Sequence, residues 1–253
     1  MTERRASFTS WRGTVGVIEP TFRPGALEDF IRLLPDGVAV IPLFIGVREG
    51  TGNEFRKALP AIEERVHELS EIGVDLIYAE GAPPFMVHGR ERERDVVDGW
   101  GGKYGVPVVT ASMMHVESMR ALGMRRVVGI TYLPRDLNEM FVNYFEEAGF
   151  EVLSMDGIDV PFDQVGNLSS HQVYAFARSN YLKHPEADGI YMLGSGWRVL
   201  DIIEPLEQDL GVPVVQSTAA RVWAVQGFLH VRQPVLGYGR LLAEMPVSLQ
   251  EGH

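Results

Sequence analysis

The sequence predicts an α/β protein made of two parallel-sheet units of similar topology, facing one another across a ligand cleft. Three observations predict it. Short, almost continuously apolar segments alternate with amphipathic stretches, as in parallel sheets covered on both faces. The run Gly105-Val106-Pro107-Val108-Val109 recurs as Gly211-Val212-Pro213-Val214-Val215. Asp75-Leu76-Ile77-Tyr78 recurs loosely as Asp188-Gly189-Ile190-Tyr191, and the glycines that follow, Gly81 and Gly194, keep the same offset of 113 residues (194 − 81).

The elements follow in order. Strands are expected at Val15–Ile18, Val38–Phe44, Leu76–Ala79 and Val106–Val109 in the first half. In the second half they are expected at Val127–Tyr132, Glu151–Ser154, Ile190–Leu193 and Val212–Val215. Leu59–Ile72, Asp136–Ala148, Ser170–Lys183 and Val199–Leu210 carry apolar residues at helical spacing. Val15-Gly16-Val17-Ile18 falls on Val128-Gly129-Ile130-Thr131 at the 113-residue offset. The seam is placed near Gly123–Arg126. Residues 1–123 form the first lobe and 124–225 the second, with the tail 226–253 packing on the first.

Composition narrows the partners. The chain of 253 residues carries a net charge of −11, which argues against nucleic acid. Arg90-Glu91-Arg92-Glu93-Arg94 alternates sign and reads as a solvated helix face, with a gate for anionic substrate as the sharper reading. No apolar run reaches the roughly 18–20 residues that span a bilayer. Met1–Trp11 lacks the apolar core of a signal peptide, so no membrane association and a cytoplasmic location are expected. The chain has no cysteine, which excludes disulfides, cysteine metal sites and thiol nucleophiles. No His-x-x-x-His or His-Glu-x-x-His spacing is present, so neither metal nor cofactor is expected.

Ligands of open parallel sheets bind beyond the carboxyl ends of the strands. Those ends hold the candidates. Glu80 closes a buried apolar strand beside Gly81, where burial raises a carboxyl pKa into general acid–base range; the alternative is a salt bridge to Arg90 or Arg92. Glu19 closes the first strand and faces the same cleft, or contacts Arg12 or Arg23. Gly194-Ser195-Gly196 forms a turn whose N–H groups can converge on an anion, with the Ser195 hydroxyl as donor or nucleophile; the alternative is a plain strand-to-helix turn. Ser217 and Thr218 either add donors or cap the helix that begins there. Pro83-Pro84-Phe85-Met86 is a rigid apolar wall or a structural loop. Tyr132, Trp197, Arg198, His88 and His115 lie at or near the cleft, with core or surface roles as the alternatives.

At these residues the sequence resembles the aspartate/glutamate racemase superfamily, in the branch of arylmalonate decarboxylase and maleate isomerase. The resemblance rests on Leu122–Thr131 (LGMRRVVGIT), Asn138, Phe145–Phe150 (FEEAGF), Ala187–Tyr191 (ADGIY), Gly194–Gly196, Leu200-Asp201 and Gly211–Val215. It implies two parallel α/β lobes related by a pseudo-twofold axis. It also implies one cysteine at a matched strand end in each lobe for the racemases, and a second-lobe cysteine that reprotonates an enediolate in arylmalonate decarboxylase. The matching positions here are Gly81 and Gly194, and Ala82, Pro83 and Pro84 replace the hydroxyl residues that bind carboxylate in arylmalonate decarboxylase. The resemblance therefore implies a cysteine-independent enzyme acting on a small carboxylate or related carbonyl compound through an enolate-like or oxyanion intermediate. Glu80 and Ser195 are the catalytic candidates, and Glu19, Gly81, Tyr132, Gly194, Gly196, Ser217 and Thr218 the substrate-binding ones. A hydrolase using Ser195 or Glu80-activated water, and a non-catalytic binding protein, are the alternatives. Assembly into a homo-oligomer stays open.

Overall fold

A computed structural model describes residues 9–22 and 25–247. Met1–Phe8, Arg23, Pro24 and residues 248–253 of the tail lie outside the described residues. The first lobe runs β1 (Gly13–Glu19), α1 (Leu27–Leu33), β2 (Val38–Phe44), α2 (Gly52–Arg56), α3 (Leu59–Ile72), β3 (Leu76–Ala79), α4 (Pro83–Met86), α5 (Arg90–Tyr104), β4 (Val108–Thr110) and α6 (Ala111–Ala121). The second runs β5 (Arg126–Thr131), α7 (Arg135–Glu147), β6 (Glu151–Gly157), α8 (Ser170–Tyr181), β7 (Gly189–Met192), α9 (Ile203–Leu210), β8 (Val214–Gln216) and α10 (Ser217–Phe228), followed by α11 (Arg240–Glu244). Single 3₁₀ turns lie at Phe162–Asn167 and Leu200–Ile202.

Both sheets are four-stranded and wholly parallel, and their strand orders match: β2-β1-β3-β4 and β6-β5-β7-β8. The α/β class and the internal repeat are thus both present. The repeated pentapeptide has a physical meaning. Gly105 and Gly211 end α5 and α9 in the left-handed region, at φ 67° and 76°, where glycine has no steric penalty. Pro107 and Pro213 cannot donate, but their carbonyls accept from Ile77 and Ile190 at 2.9 and 3.0 Å. The strands therefore begin two residues later than the apolar run suggests. The expected helix Val199–Leu210 is divided, because a 3₁₀ turn precedes α9.

The last helix of each lobe crosses to the other. α6 and α10 pack on each other between the sheets, and α10 also packs against α1 and β3 of the first lobe. α10 is buried along Ser217–Gly227, and its sequence is apolar apart from a few residues, one of which is Arg221. The chain after α10 touches both lobes. Gln233 accepts from Arg12 at 3.2 Å, while the Arg240 N–H donates to Glu207 of α9 at 2.8 Å. Glu93 corrects one expectation: within the alternating basic segment it is buried, accepting hydrogen bonds from Thr110, Ser112 and Tyr144. No helix of the described residues is long and apolar enough to cross a membrane.

Candidate active site

The carboxyl ends of the central strands open into one small cavity of about 50 Å³. β1 supplies Glu19 and β3 is followed by Glu80, Gly81 and Ala82. α4 contributes Pro83 and Pro84, α6 His115, and α10 Ser217. From the second lobe come Tyr132 after β5 and Leu193–Gly196 after β7. Gly81 and Gly194, matched in the repeat, therefore line the same cavity.

One wall is ionic. Glu19 and Glu80 end adjacent parallel strands, which brings both carboxylates to Arg221 of α10. Arg221 donates to Glu19 at 2.7 Å and its Nε lies 3.6 Å from Glu80. All three side chains are buried, and the guanidinium lies over the Phe30 ring at 4.1 Å. One arginine balances one carboxylate, and the shorter contact goes to Glu19. Glu80 is left as the group that holds a proton. Burial pushes its carboxyl up to about 7; the Arg221 charge opposes this, Glu19 adds to it, and the Gly81 N–H and Ser195 hydroxyl oppose it. Glu80 Oε2 has no hydrogen-bond partner among the described residues.

The facing wall carries no charge. Gly194 sits at φ 95° with its peptide held on both sides: its N–H donates to Ser217 Oγ at 2.6 Å, and its carbonyl accepts from Gln216 Nε2 at 2.8 Å. The Gln216 Oε1 also caps α10, accepting from Thr218 and Ala219 N–H. The turn is thus fixed before any ligand arrives. Tyr132 lies against it: a Cβ at Gly194 would stand 2.3 Å from the Tyr132 hydroxyl oxygen. The ring occupies the space in which a side chain at Gly194 would begin. Tyr132 in turn packs edge-on to Trp197, centroids 4.9 Å apart, with Trp197 buried in the core.

Other predicted residues are placed elsewhere. Thr218 is fully buried one position beyond Ser217 and does not line the cavity. Arg198 pairs with Asp29 at 2.8 Å across the lobes. His88 follows α4, outside the cavity lining. The sequence reading missed Arg221, the shared partner of both carboxylates, and the role of Gln216 in holding the Gly194 peptide. A lone arginine in an otherwise apolar helix was the available signal. Glu19 and Glu80 converge on Arg221, not on Arg12, Arg90 or Arg92. Among the described residues, no group of three or more His, Asp or Glu side chains has metal-site spacing.

Comparison with known proteins places this geometry. The arylmalonate decarboxylase family model matches residues 15–242. The chain is 26% identical over 237 residues to an arylmalonate decarboxylase from Bordetella bronchiseptica, covering 91% of this chain and 97% of that protein. A maleate isomerase from Nocardia farcinica is 32% identical over 130 residues, 51% of each chain. Among solved structures, Nocardia farcinica maleate cis-trans isomerase bound to TRIS superposes with a TM-score of 0.84 at 22% identity, covering 91% of this chain and 98% of that one. A liganded double mutant of arylmalonate decarboxylase gives 0.82 at 23%, covering 91% and 99%.

Proposed function

The chain belongs to the arylmalonate decarboxylase family, and from that premise we propose that it is an enzyme of decarboxylase or isomerase type acting on a small carboxylate with an apolar substituent, with Glu80 as the proton carrier. The carrying observation is Glu80: a buried carboxyl on the cavity wall, pushed up to about 7, in a chain with no thiol. A group that titrates near the working pH can both give and take a proton. Val47, Phe55, Pro83, Pro84 and Phe162 offer the apolar substituent a pocket. With the Gly194 N–H already given to Ser217, the N–H groups of Ser195 and Gly196 on the cavity wall are the donors the turn offers the carboxylate.

In decarboxylation the bond from the α-carbon to one carboxylate breaks and releases CO₂. The electron pair spreads into the remaining carbonyl group as an enediolate. Protonated Glu80 gives its proton to the α-carbon, and solvent restores it. In isomerisation of a β,γ-unsaturated carboxylate the Glu80 carboxylate takes the α-proton, and the neutral acid returns it to the γ-carbon of the dienolate, so that the double bond shifts. Both routes need negative charge held on substrate oxygen opposite Glu80, where the uncharged wall supplies dipoles rather than a second acid.

The test is solvent exchange. A panel of arylmalonates and α-substituted carboxylates in ²H₂O, followed by ¹H NMR, should gain deuterium at the α-carbon with wild type and not with Glu80→Gln. Ser195 supports one further reading, because it lines the same cavity as Glu80, as a nucleophile does beside its base. That hydrolase would put ¹⁸O from labelled water into the product without deuterium at carbon. Binding without either label would support a non-catalytic ligand-binding protein.

A further inference from the structure

His115 is the residue on the uncharged side of the cavity that combines complete burial with an unpartnered ring nitrogen. It is 1% exposed. Its Nδ1 lies 3.0 Å from the Tyr191 hydroxyl. Its Nε2 has no partner among the described residues. The sequence alone left it as an isolated histidine.

We propose that the Tyr191 hydroxyl, donating to Nδ1, fixes His115 as the neutral, Nε2-protonated tautomer, and that this Nε2–H donates to an oxygen of the bound carboxylate as charge develops there. The second half of this inference rests on the function proposed above; the first half does not.

The direction of the bond follows from what each group can give. Tyr191 is buried, so its phenolic proton needs an acceptor, and the acceptor within hydrogen-bond distance is His115 Nδ1 at 3.0 Å. Ser217 Oγ is engaged elsewhere, accepting from the Gly194 N–H at 2.6 Å and facing the Met192 carbonyl at 3.5 Å. With Tyr191 donating to Nδ1, the imidazole proton must sit on Nε2. The reverse arrangement puts the proton on Nδ1 and leaves the buried Tyr191 proton without an acceptor. Burial also drives the imidazolium pKa down to about 3, so the ring is uncharged near neutral pH.

A neutral N–H suits this place. It holds a developing oxyanion without competing for the proton that Glu80 delivers, and second-shell groups that fix the tautomer keep it aimed. A charged imidazolium would instead be a second acid, able to protonate the intermediate from the opposite wall.

The tautomer is read on unliganded protein labelled with ¹⁵N-histidine, from two-bond ¹H–¹⁵N correlations, with His115→Phe assigning the signal. The expected pattern is Nε2–H at pH 7 in wild type, and a mixture of tautomers in Tyr191→Phe. An Nδ1–H or an imidazolium overturns the inference. With a substrate found by deuterium exchange, His115→Phe should lower kcat about 100-fold with little change in KM, the scale of losing one oxyanion donor. His115→Gln, which keeps an N–H, should recover part of that loss. Wild-type turnover in His115→Phe overturns the catalytic half. If no member of the panel exchanges with wild type, the function proposed above has failed, while the tautomer spectrum still decides the Tyr191–His115 half.

Discussion

The ends of β3 and β7 occupy equivalent places in the two lobes, and the repeat pairs their residues. Tyr78 matches Tyr191, Glu80 matches Leu193, and Gly81 matches Gly194, each at an offset of 113 (193 − 80). The crossing helices match as well, at the offset of 106 that relates the repeated pentapeptides (211 − 105). His115 of α6 falls on Arg221 of α10 (221 − 115). Each lobe's last helix therefore presents one nitrogen-bearing side chain beneath the other lobe's central strand. Beneath β3 the result is an arginine between two carboxylates. Beneath β7 it is a histidine bonded to a tyrosine hydroxyl, beside a leucine. The backbone symmetry has been kept and the electrostatic symmetry lost. A cavity that keeps both of its carboxyl groups on one wall can add a proton to one face of a planar intermediate; acids on both walls would exchange it between both.

The comparison breaks first at Glu80. Glu80→Gln should lower turnover by about 10²–10⁴-fold, the scale of losing a general acid or base, with the melting temperature at pH 6 little changed. A stable variant with wild-type turnover would move the proton chemistry elsewhere. Arg221→Met leaves two buried carboxylates with no cation. Urea denaturation should register a loss of about 3–5 kcal/mol, the cost of removing one partner from a buried ion pair. Adding Glu19→Gln should restore most of it, since Glu80 alone can stay protonated.

A smaller effect is expected on the uncharged wall. Gly194→Cys places a side chain at a positive φ and against Tyr132. It should cost about 1–3 kcal/mol from backbone strain alone, and Tyr132→Ala in the same chain should relieve the contact but not the strain. A further effect is in the pH dependence of stability. A carboxyl raised from 4.5 to about 7 means that the folded chain holds a proton the unfolded chain releases. Stability should therefore fall as pH rises from about 4.5 to 7, and that slope should flatten in Glu80→Gln. Melting temperatures at pH 5 and pH 7.5 measure it; equal slopes in both proteins would count against a raised Glu80.

Most of the fold was legible in the sequence because its signals are local. Val38–Phe44, Leu76–Ala79 and Leu59–Ile72 coincide with their elements, since apolar runs and helical spacing are set within a few residues. Glu80 was legible for the same reason: an acid directly after a buried strand is conspicuous. Its partner was not. Arg221 lies 141 residues away (221 − 80) on a helix that crosses lobes, and Arg90 and Arg92 were nearer in the chain. His115 carried no local sign of its role, because its hydrogen-bond partner belongs to the other sheet. The misplaced strand starts at Val106 and Val212 have a local cause in the helix-ending glycines and the prolines after them.

The exchange of last helices also bears on how the molecule can move. A cleft between two lobes suggests jaws on a hinge, but here α10 continues the second lobe's chain while its buried face lies on α1, α6 and β3 of the first. Opening such jaws would pull a helix out of one hydrophobic seat and strip Arg221 from its carboxylates. Mechanically the lobes act as a single bolted block. Passage in and out of the cavity is then a matter of local rearrangement in its lining rather than of lobes swinging apart.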